Sequence, residues 1–281
     1  MPELPEVETI VRGLRPHVVG RTIEALRYTW PRTLHTPDAP IFAARVAGQR
    51  VQAVRRRGKY VVLELSSDTL LIHLRMTGRL YVMPADVRAE ADRWLRVAFA
   101  LDDGRELRFS DVRKFGRCYL LDDPARILGR LGPEPLGPRF TVAVFRRQLA
   151  GRRRKLKPAL LDQRVVAGVG NIYADEALFF ARLHPLRRVD TLSAAETERL
   201  HKALQHVLLQ GLAREGASVD WYRKADGTRG SAQEALAVYG RAGQPCPRCG
   251  HPVERIVVAQ RGTHFCPRCQ PLPKELTGRE P

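Results

Sequence analysis

Residues 132–138 read GPEPLGP, five glycines and prolines in seven positions, and the hydrophobic pattern changes period across them. Before this break, apolar residues fall in short alternating runs: RTIEALRYTW, RVQAVRRR, YVVLELS, TLLIHLRM, LRVAFAL, ELRFS and RCYLL. A period of two puts alternate side chains on one face of a strand, and turn signals such as Asp103-Gly104 separate the runs. One helix precedes them. Val7, Ile10, Val11 and Leu14 recur at helical spacing, with Pro16 and Gly20 as stop signals. About seven strands behind one helix predict a β-sandwich or flattened barrel.

After the break, TVAVFRRQLAG, LKPALLDQ, NIYADEALFFARL and SAAETERLHKALQHVLLQGLAREG carry helical stripes. The last of these opens with a capping box from Ser193 to Glu196. Residues 216–232 are polar and glycine-bearing, which predicts a mobile loop. The chain therefore divides into a strand-rich domain at 1–131, a linker at 132–140, a helical domain at 141–240 and a cysteine module at 241–270, with a disordered tail at 271–281. The fold class is α+β.

Four of the five cysteines form Cys246-x2-Cys249-x16-Cys266-x2-Cys269. Each Cys-x-x-Cys knuckle supplies two soft ligands, and two knuckles complete a tetrahedral Zn²⁺ site. A redox dithiol is the alternative that a single pair would favour. The intervening VERIVVAQRGTHF reads as two strands around Gln260-Arg261-Gly262-Thr263, so a zinc-bound β-hairpin is expected. It has no recognition helix to enter a major groove, and Arg261 at its turn is either a phosphate donor or a solvated tip. Cys118, flanked by Arg117 and an apolar run, reads as a buried strand residue.

The net charge is +18 and the pI about 10.5, which favours a polyanionic partner. Basic residues concentrate at Arg45, Arg50, Arg55, Arg56, Arg57 and Lys59, and again at Arg146, Arg147, Arg152, Arg153, Arg154, Lys155 and Lys157. One such run could be a solvated face. Two runs with a zinc hairpin point to nucleic acid, whose phosphates such patches bind without reading sequence. An anionic membrane would want a basic amphipathic helix or an apolar anchor. Neither is found, no run approaches about 18 apolar residues, and no signal-peptide core leads the chain. A cytoplasmic, nucleoid-associated protein is expected. GVGNIYADE places Asn171 at a helix start whose free N–H groups suit phosphate, although a plain helix cap explains it equally well.

The chain opens MPELPEVETI. Proline and acids suit a first helical turn. A chemical reading also fits. With Met1 removed, as expected before a small residue, Pro2 becomes a free secondary amine. An α-amino group has a pKa of about 8 against about 10.4 for lysine, so roughly a tenth is neutral at pH 7. A neutral amine attacks an aldehyde-like carbon to form an iminium, and Glu3 and Glu6, within a helical turn, could move protons. The local residues do not choose between the two readings.

PELPEVET, DVRKFG at 111–116, LLDQRVVAGVGNIYADEALF at 160–179 and VYGRAGQPC with QRGTHFCPRCQ follow one another in this order. Together they closely resemble the bacterial formamidopyrimidine-DNA glycosylase family, which repairs 8-oxoguanine, from residue 1 to about residue 270. The resemblance implies an N-terminal β-sandwich, then a helix–two-turn–helix domain with a zinc hairpin. It implies that Pro2 attacks C1′ of the damaged nucleoside and holds the sugar as a Schiff base, with Glu3 as proton donor and Glu6 in support. β-elimination and then δ-elimination cut the strand, with Lys59 serving the first step and Arg261 the second. A base must leave the stack to be reached. Met76, Arg113 and Phe115 would fill the vacancy, the arginine pairing with the orphan cytosine. Asn171, Lys157, Arg152 and Arg261 would clamp phosphates, and loop 216–232 would cover the flipped base.

Two positions depart from the family pattern. Many relatives carry His-x-His before the strand LRVAFAL, where this chain has Trp94-Leu95-Arg96, leaving Arg93 or Arg96 to substitute. Many have phenylalanine near Ala232. Two rival functions stand beside the oxidised-purine glycosylase: the endonuclease VIII branch, which prefers oxidised pyrimidines, and a non-catalytic zinc DNA-binding sensor. PELPEVET and the Met/Arg/Phe set argue against the first, and retention of Pro2, Glu3 and Lys59 against the second. A monomer is the default, because no oligomer seam is evident.

Overall fold

Helix α1 (Leu4–Val18) carries Pro5 in its first turn, where its fixed φ is suited. It buries Val7, Ile10, Val11, Leu14 and Val18, each at most 1% exposed. Pro16 does not end it. Without an N–H, Pro16 forfeits one bond in a last turn that is closing anyway, and the Val19 N–H still reaches Arg15 O at 3.2 Å.

The chain then forms β1 (Ile23–Tyr28), β2 (Leu34–Thr36), α2 (Ala39–Val46), β3 (Val51–Arg57), β4 (Tyr60–Leu65), β5 (Thr69–His73), β6 (Gly78–Pro84), β7 (Leu95–Leu101), β8 (Arg105–Asp111), β9 (Arg117–Leu121) and α3 (Ala125–Leu128). Two sheets result, a four-stranded one in the order β1-β7-β8-β6 and a five-stranded one in the order β2-β9-β5-β4-β3. Val97, Phe99, Leu107 and Phe109 of the first share a core with Val54, Val61, Leu63, Leu70 and Ile72 of the second and with the α1 stripe. This is the expected β-sandwich with a leading helix. Cys118 is fully buried in that core, as expected, and burial pushes its thiol pKa up.

Strands β2 and β6 and helix α2 are additional to the sequence expectation. GRLYVMP opens with glycine and closes with proline, both turn signals. β6 tolerates them because it is the outer strand of its sheet, where a missing donor costs no ladder bond. β5 stops at His73, short of the expected Met76, because Arg75 takes a positive φ of 54° and turns the chain.

A computed structural model describes residues 1–272; the expected tail lies outside the described residues from 273 onward. The chain divides into two compact units, Met1–Arg130 with Gly211–Gln233, and Leu131–Gln210 with Glu234 onward. The second holds α4 (Val142–Leu149), α5 (Leu156–Leu161), α6 (Asn171–Phe180), most of α7 (Ala194–Ala213), β10 (Glu254–Val258) and β11 (Arg261–Phe265). The capping box of α7 is formed: Ser193 N donates to Glu196 Oε2 at 2.9 Å and Glu196 N to Ser193 Oγ at 3.2 Å. In the hairpin, Val258 pairs with Arg261, so the turn is Ala259-Gln260 alone, with φ of +48° and +59°. Two residues with positive φ match the strand twist best. The turn therefore precedes the expected Gln260–Thr263, and Arg261 is the first residue of β11.

Candidate active site and nucleic-acid interface

The first unit buries its amino-terminal carboxylates. Glu3 is 2% and Glu6 1% exposed, and Pro2 is buried beneath a Met1 that is 45% exposed. Glu3 N donates to Glu6 Oε2 at 2.7 Å, while Glu6 Oε1 accepts the Ala217 N–H at 2.8 Å. One carboxylate thus ties the start of α1 to segment 216–232. Gly216 makes the approach possible. Its φ is +84°, and a Cβ there would stand 2.9 Å from Glu6 Cγ and from Tyr222 Cε1. Burial raises the Tyr222 phenol pKa, and its hydroxyl donates to Glu215 O at 2.9 Å.

Lys59 follows Gly58, at φ +56°, in the β3–β4 turn and is 5% exposed. Arg56 of β3 donates to Glu8 of α1 at 3.2 Å and to Gly58 O at 3.0 Å, which fastens that turn along the first turns of α1. The Arg56–Glu8 pair thus sets the lysine-bearing turn alongside the helix that follows Pro2 and Glu3 and carries Glu6. Such a set can hold a nucleophile and move protons beside it.

Met76, Arg113 and Phe115 stand together. The Arg113 Nη1 lies 3.1 Å from Met76 Sδ, and its guanidinium lies 4.7 Å from the Phe115 ring centre. Met76 is 39% and Phe115 46% exposed, large apolar groups of the kind usually buried. A buried carboxylate holds their loops. Asp111 accepts from Thr77 Oγ1, from Arg113 N at 3.2 Å and from Gly116 N at 2.7 Å. Arg113 N also reaches Thr77 Oγ1 at 3.1 Å. On the Met76 side, His73 Nδ1 accepts the Arg75 N–H at 3.0 Å. Asp111, Thr77 and His73 were not singled out in the sequence. The D of DVRKFG and the T after the methionine were the available signals.

The residues expected to replace the missing histidine are otherwise engaged. Arg96 donates to Asp111 O at 2.8 Å, and Arg93 lies 3.8 Å over the Trp94 ring and pairs with Glu90.

In the second unit, Asn171 opens α6 as expected, and its Nδ2 donates to Gly262 O at 2.9 Å. Its Oδ1 is buried without a partner. Lys157 was expected to clamp a phosphate, but its side chain is 0% exposed. Its ammonium pairs with Asp175 and lies 3.4 Å from Gly262 O. A cation so enclosed positions the hairpin and does not meet a phosphate in this geometry. Asp175 also accepts the His264 N–H at 2.9 Å, and Glu176 accepts the N–H groups of Ala237, Val238 and Tyr239 at 2.8–2.9 Å. Burial raises the Glu176 pKa against those three donors. Asp175 thus ties α6 to β11, whose first residue is the exposed Arg261, and Glu176 ties α6 to residues 237–239. Their signal was an acidic pair set in the otherwise apolar NIYADEALFF. Arg152 is partly exposed, donates to Gln148 O at 2.7 Å and stands 3.7 Å from Asp162.

The sulfur atoms of Cys246, Cys249, Cys266 and Cys269 lie within 4.8 Å of one another, with Cys246–Cys269 at 3.9 Å and Cys249–Cys266 at 3.5 Å. A tetrahedron with Zn–S of about 2.3 Å has edges of roughly 3.8 Å, so the quartet fits zinc. No helix among the described residues is long and apolar enough to cross a membrane.

Three family models match the chain: the formamidopyrimidine-DNA glycosylase N-terminal domain over residues 1–118, its H2TH domain over 131–222, and the zinc finger found in FPG and IleRS over 243–272. The formamidopyrimidine-DNA glycosylase of Symbiobacterium thermophilum is 50% identical over 278 residues, 98% of this chain and 90% of that protein. That of Herpetosiphon aurantiacus is 51% identical over 274 residues, 96% of this chain and 100% of that protein. Among solved structures, Lactococcus lactis Fpg in complex with DNA containing an abasic site superposes with a TM-score of 0.89 at 36% identity, covering 96% of this chain and 100% of that one. The MutM (Fpg) protein of Thermus thermophilus gives 0.86 at 46% identity, covering 96% and 98%.

Proposed function

Because the chain belongs to the formamidopyrimidine-DNA glycosylase family, we propose that the buried amino-terminal cluster of its first unit is the catalytic centre. The protein is a base-excision DNA glycosylase that removes oxidised purines from damaged duplex DNA, and it carries the family's AP lyase activity. Its cysteine quartet holds one structural zinc.

In the proposed mechanism, the Pro2 amine, freed by loss of Met1, bonds to C1′ as the glycosidic bond breaks. The departing base takes a proton from Glu3. Glu6 holds Glu3 and segment 216–232 in register through its two hydrogen bonds. The resulting iminium acidifies the sugar, and β-elimination followed by δ-elimination releases the strand on both sides, with Lys59 and Arg261 serving the two steps. Met76, Phe115 and Arg113 fill the space the base leaves, on loops that Asp111 fixes beforehand. Arg152, Asn171 and Arg261 meet the phosphate backbone, and Lys157 supports them from within. A cytoplasmic, nucleoid-associated place of work follows from that substrate.

The observation that carries this reading is the Glu6 carboxylate bridging Glu3 N and Ala217 N while almost fully buried. A carboxylate in that setting is a fixed part of a site and not a solvated helix acid. Borohydride added to protein and a duplex holding 8-oxoguanine opposite cytosine should trap a covalent adduct that maps to Pro2. DNA binding without an adduct, by protein whose Met1 is confirmed absent, would remove the catalytic reading. The same trapping on an oxidised pyrimidine measures lesion preference.

A further inference from the structure

Trp94 and Trp221 meet edge to face, with ring centres 5.7 Å apart and planes at 89°. Neither belongs to the catalytic cluster. Trp94 ends a short turn, residues 90–94, held by a partly buried hydrogen-bond network. Asp92 of that turn accepts from the Tyr81 hydroxyl at 2.6 Å, from Arg108 Nη1 at 2.8 Å and from Ala89 N at 2.8 Å. Arg108 is itself buried and donates to Glu106 and to the carbonyls of Val87, Pro84 and Ala85. The Arg93 guanidinium covers the Trp94 ring at 3.8 Å. Trp94 therefore presents a held aromatic edge on the sandwich.

Trp221 comes from segment 216–232, one residue before Tyr222, and is 44% exposed. A large indole left half in water on a polar loop is an expensive choice unless its other half meets something. It meets Trp94. Glu6 holds this segment at Ala217, and the Tyr222 hydroxyl ties it back to Glu215 O. The indole pair adds a further attachment.

We propose that Trp94 is a positioning residue: its contact with Trp221 holds segment 216–232 closed over the seat of an extruded base. The inference rests on the proposed catalytic centre and on the role as the base's cover that the family resemblance implies for that segment. It also gives the tryptophan at this departure from the family pattern a task other than a DNA contact. A cover matters only where there is a base to enclose. Excision of a base should depend on the pair, while cleavage at a site already lacking its base should not.

The test is single-turnover kinetics on two duplexes, one with 8-oxoguanine and one with a preformed abasic site. Trp94→Leu should slow base excision by about five- to tenfold, the size expected of an aromatic pair, and leave abasic cleavage unchanged. Trp94→Phe should restore most of the loss. Adding Trp221→Leu to Trp94→Leu should cost little more, because the contact is already gone. Should Trp94→Leu fail to fold, Trp221→Leu set against Trp221→Phe reports the same excision loss and rescue. Equal slowing on both duplexes, no slowing, or losses that multiply in the double variant would overturn the proposal. Wild-type protein inactive on both duplexes would instead defeat the catalytic reading on which it rests.

Discussion

His73 offers a quantitative test of how the Met76 turn is held. The ring is 8% exposed, lies edge-on to Tyr60 at 4.7 Å, and uses Nδ1 to accept the Arg75 N–H. Burial, then the nearby charges of Arg75 and Lys59, drives its pKa to about 3. Unfolded histidine titrates at about 6.5. Between those values the unfolded chain takes a proton that the folded one refuses, so stability is full above pH 6.5 and falls as the pH drops toward 3. Each unit costs about 1.36 kcal/mol, so at pH 4.5 the loss from this one group is roughly 3 kcal/mol. His73→Gln removes the titration. Trp30, Trp94 and Trp221 all lie in the first unit, so tryptophan fluorescence in urea follows that unit's unfolding. Taking wild type minus variant cancels the other histidines. The wild type should lose roughly 3 kcal/mol more than the variant between pH 7.5 and 4.5. Parallel curves would refute a neutral, buried His73 and with it this account of the turn.

Gly216→Ala should strain a left-handed residue by about 1–2 kcal/mol and push on Glu6, and single-turnover base excision should fall about tenfold. Arg261→Gln should keep borohydride trapping but accumulate the product of the first elimination, visible on a sequencing gel. Lys157→Met should leave the Asp175 carboxylate buried without its cation, costing about 3–5 kcal/mol, read as a lowered unfolding midpoint of the second unit by hydrogen exchange. Stripping the zinc with a chelator should weaken DNA binding while the fluorescence midpoint of the first unit holds. Unchanged affinity after verified metal loss would count against placing the hairpin at the phosphates.

Much of this was legible because it is local. Alternation marked seven of the nine strands of the sandwich, the paired knuckles marked the metal site, and Ser193 with Glu196 marked a helix start. What was missed depends on partners distant in sequence. β6 hid behind its glycine and proline because only its place at the sheet edge excuses them. Arg261 moved from turn to strand because two non-glycine residues, Ala259 and Gln260, took the positive φ of the turn. Lys157 read as one more member of a basic run. Nothing near it in the chain foretells Asp175, eighteen positions on, which draws it inside. Family motifs located the Met76, Arg113 and Phe115 set, but the carboxylate that fixes it emerged only from the hydrogen bonds of Asp111.

The Glu6 bridge to Ala217 spans 211 positions of the chain. A ribosome adding about 5–20 residues per second needs roughly 10–40 s to cover that distance. For that interval Glu6 is already made, yet the Ala217 N–H that its Oε1 accepts is not. The Glu6 carboxylate therefore cannot make this bond until more than three quarters of the chain exists.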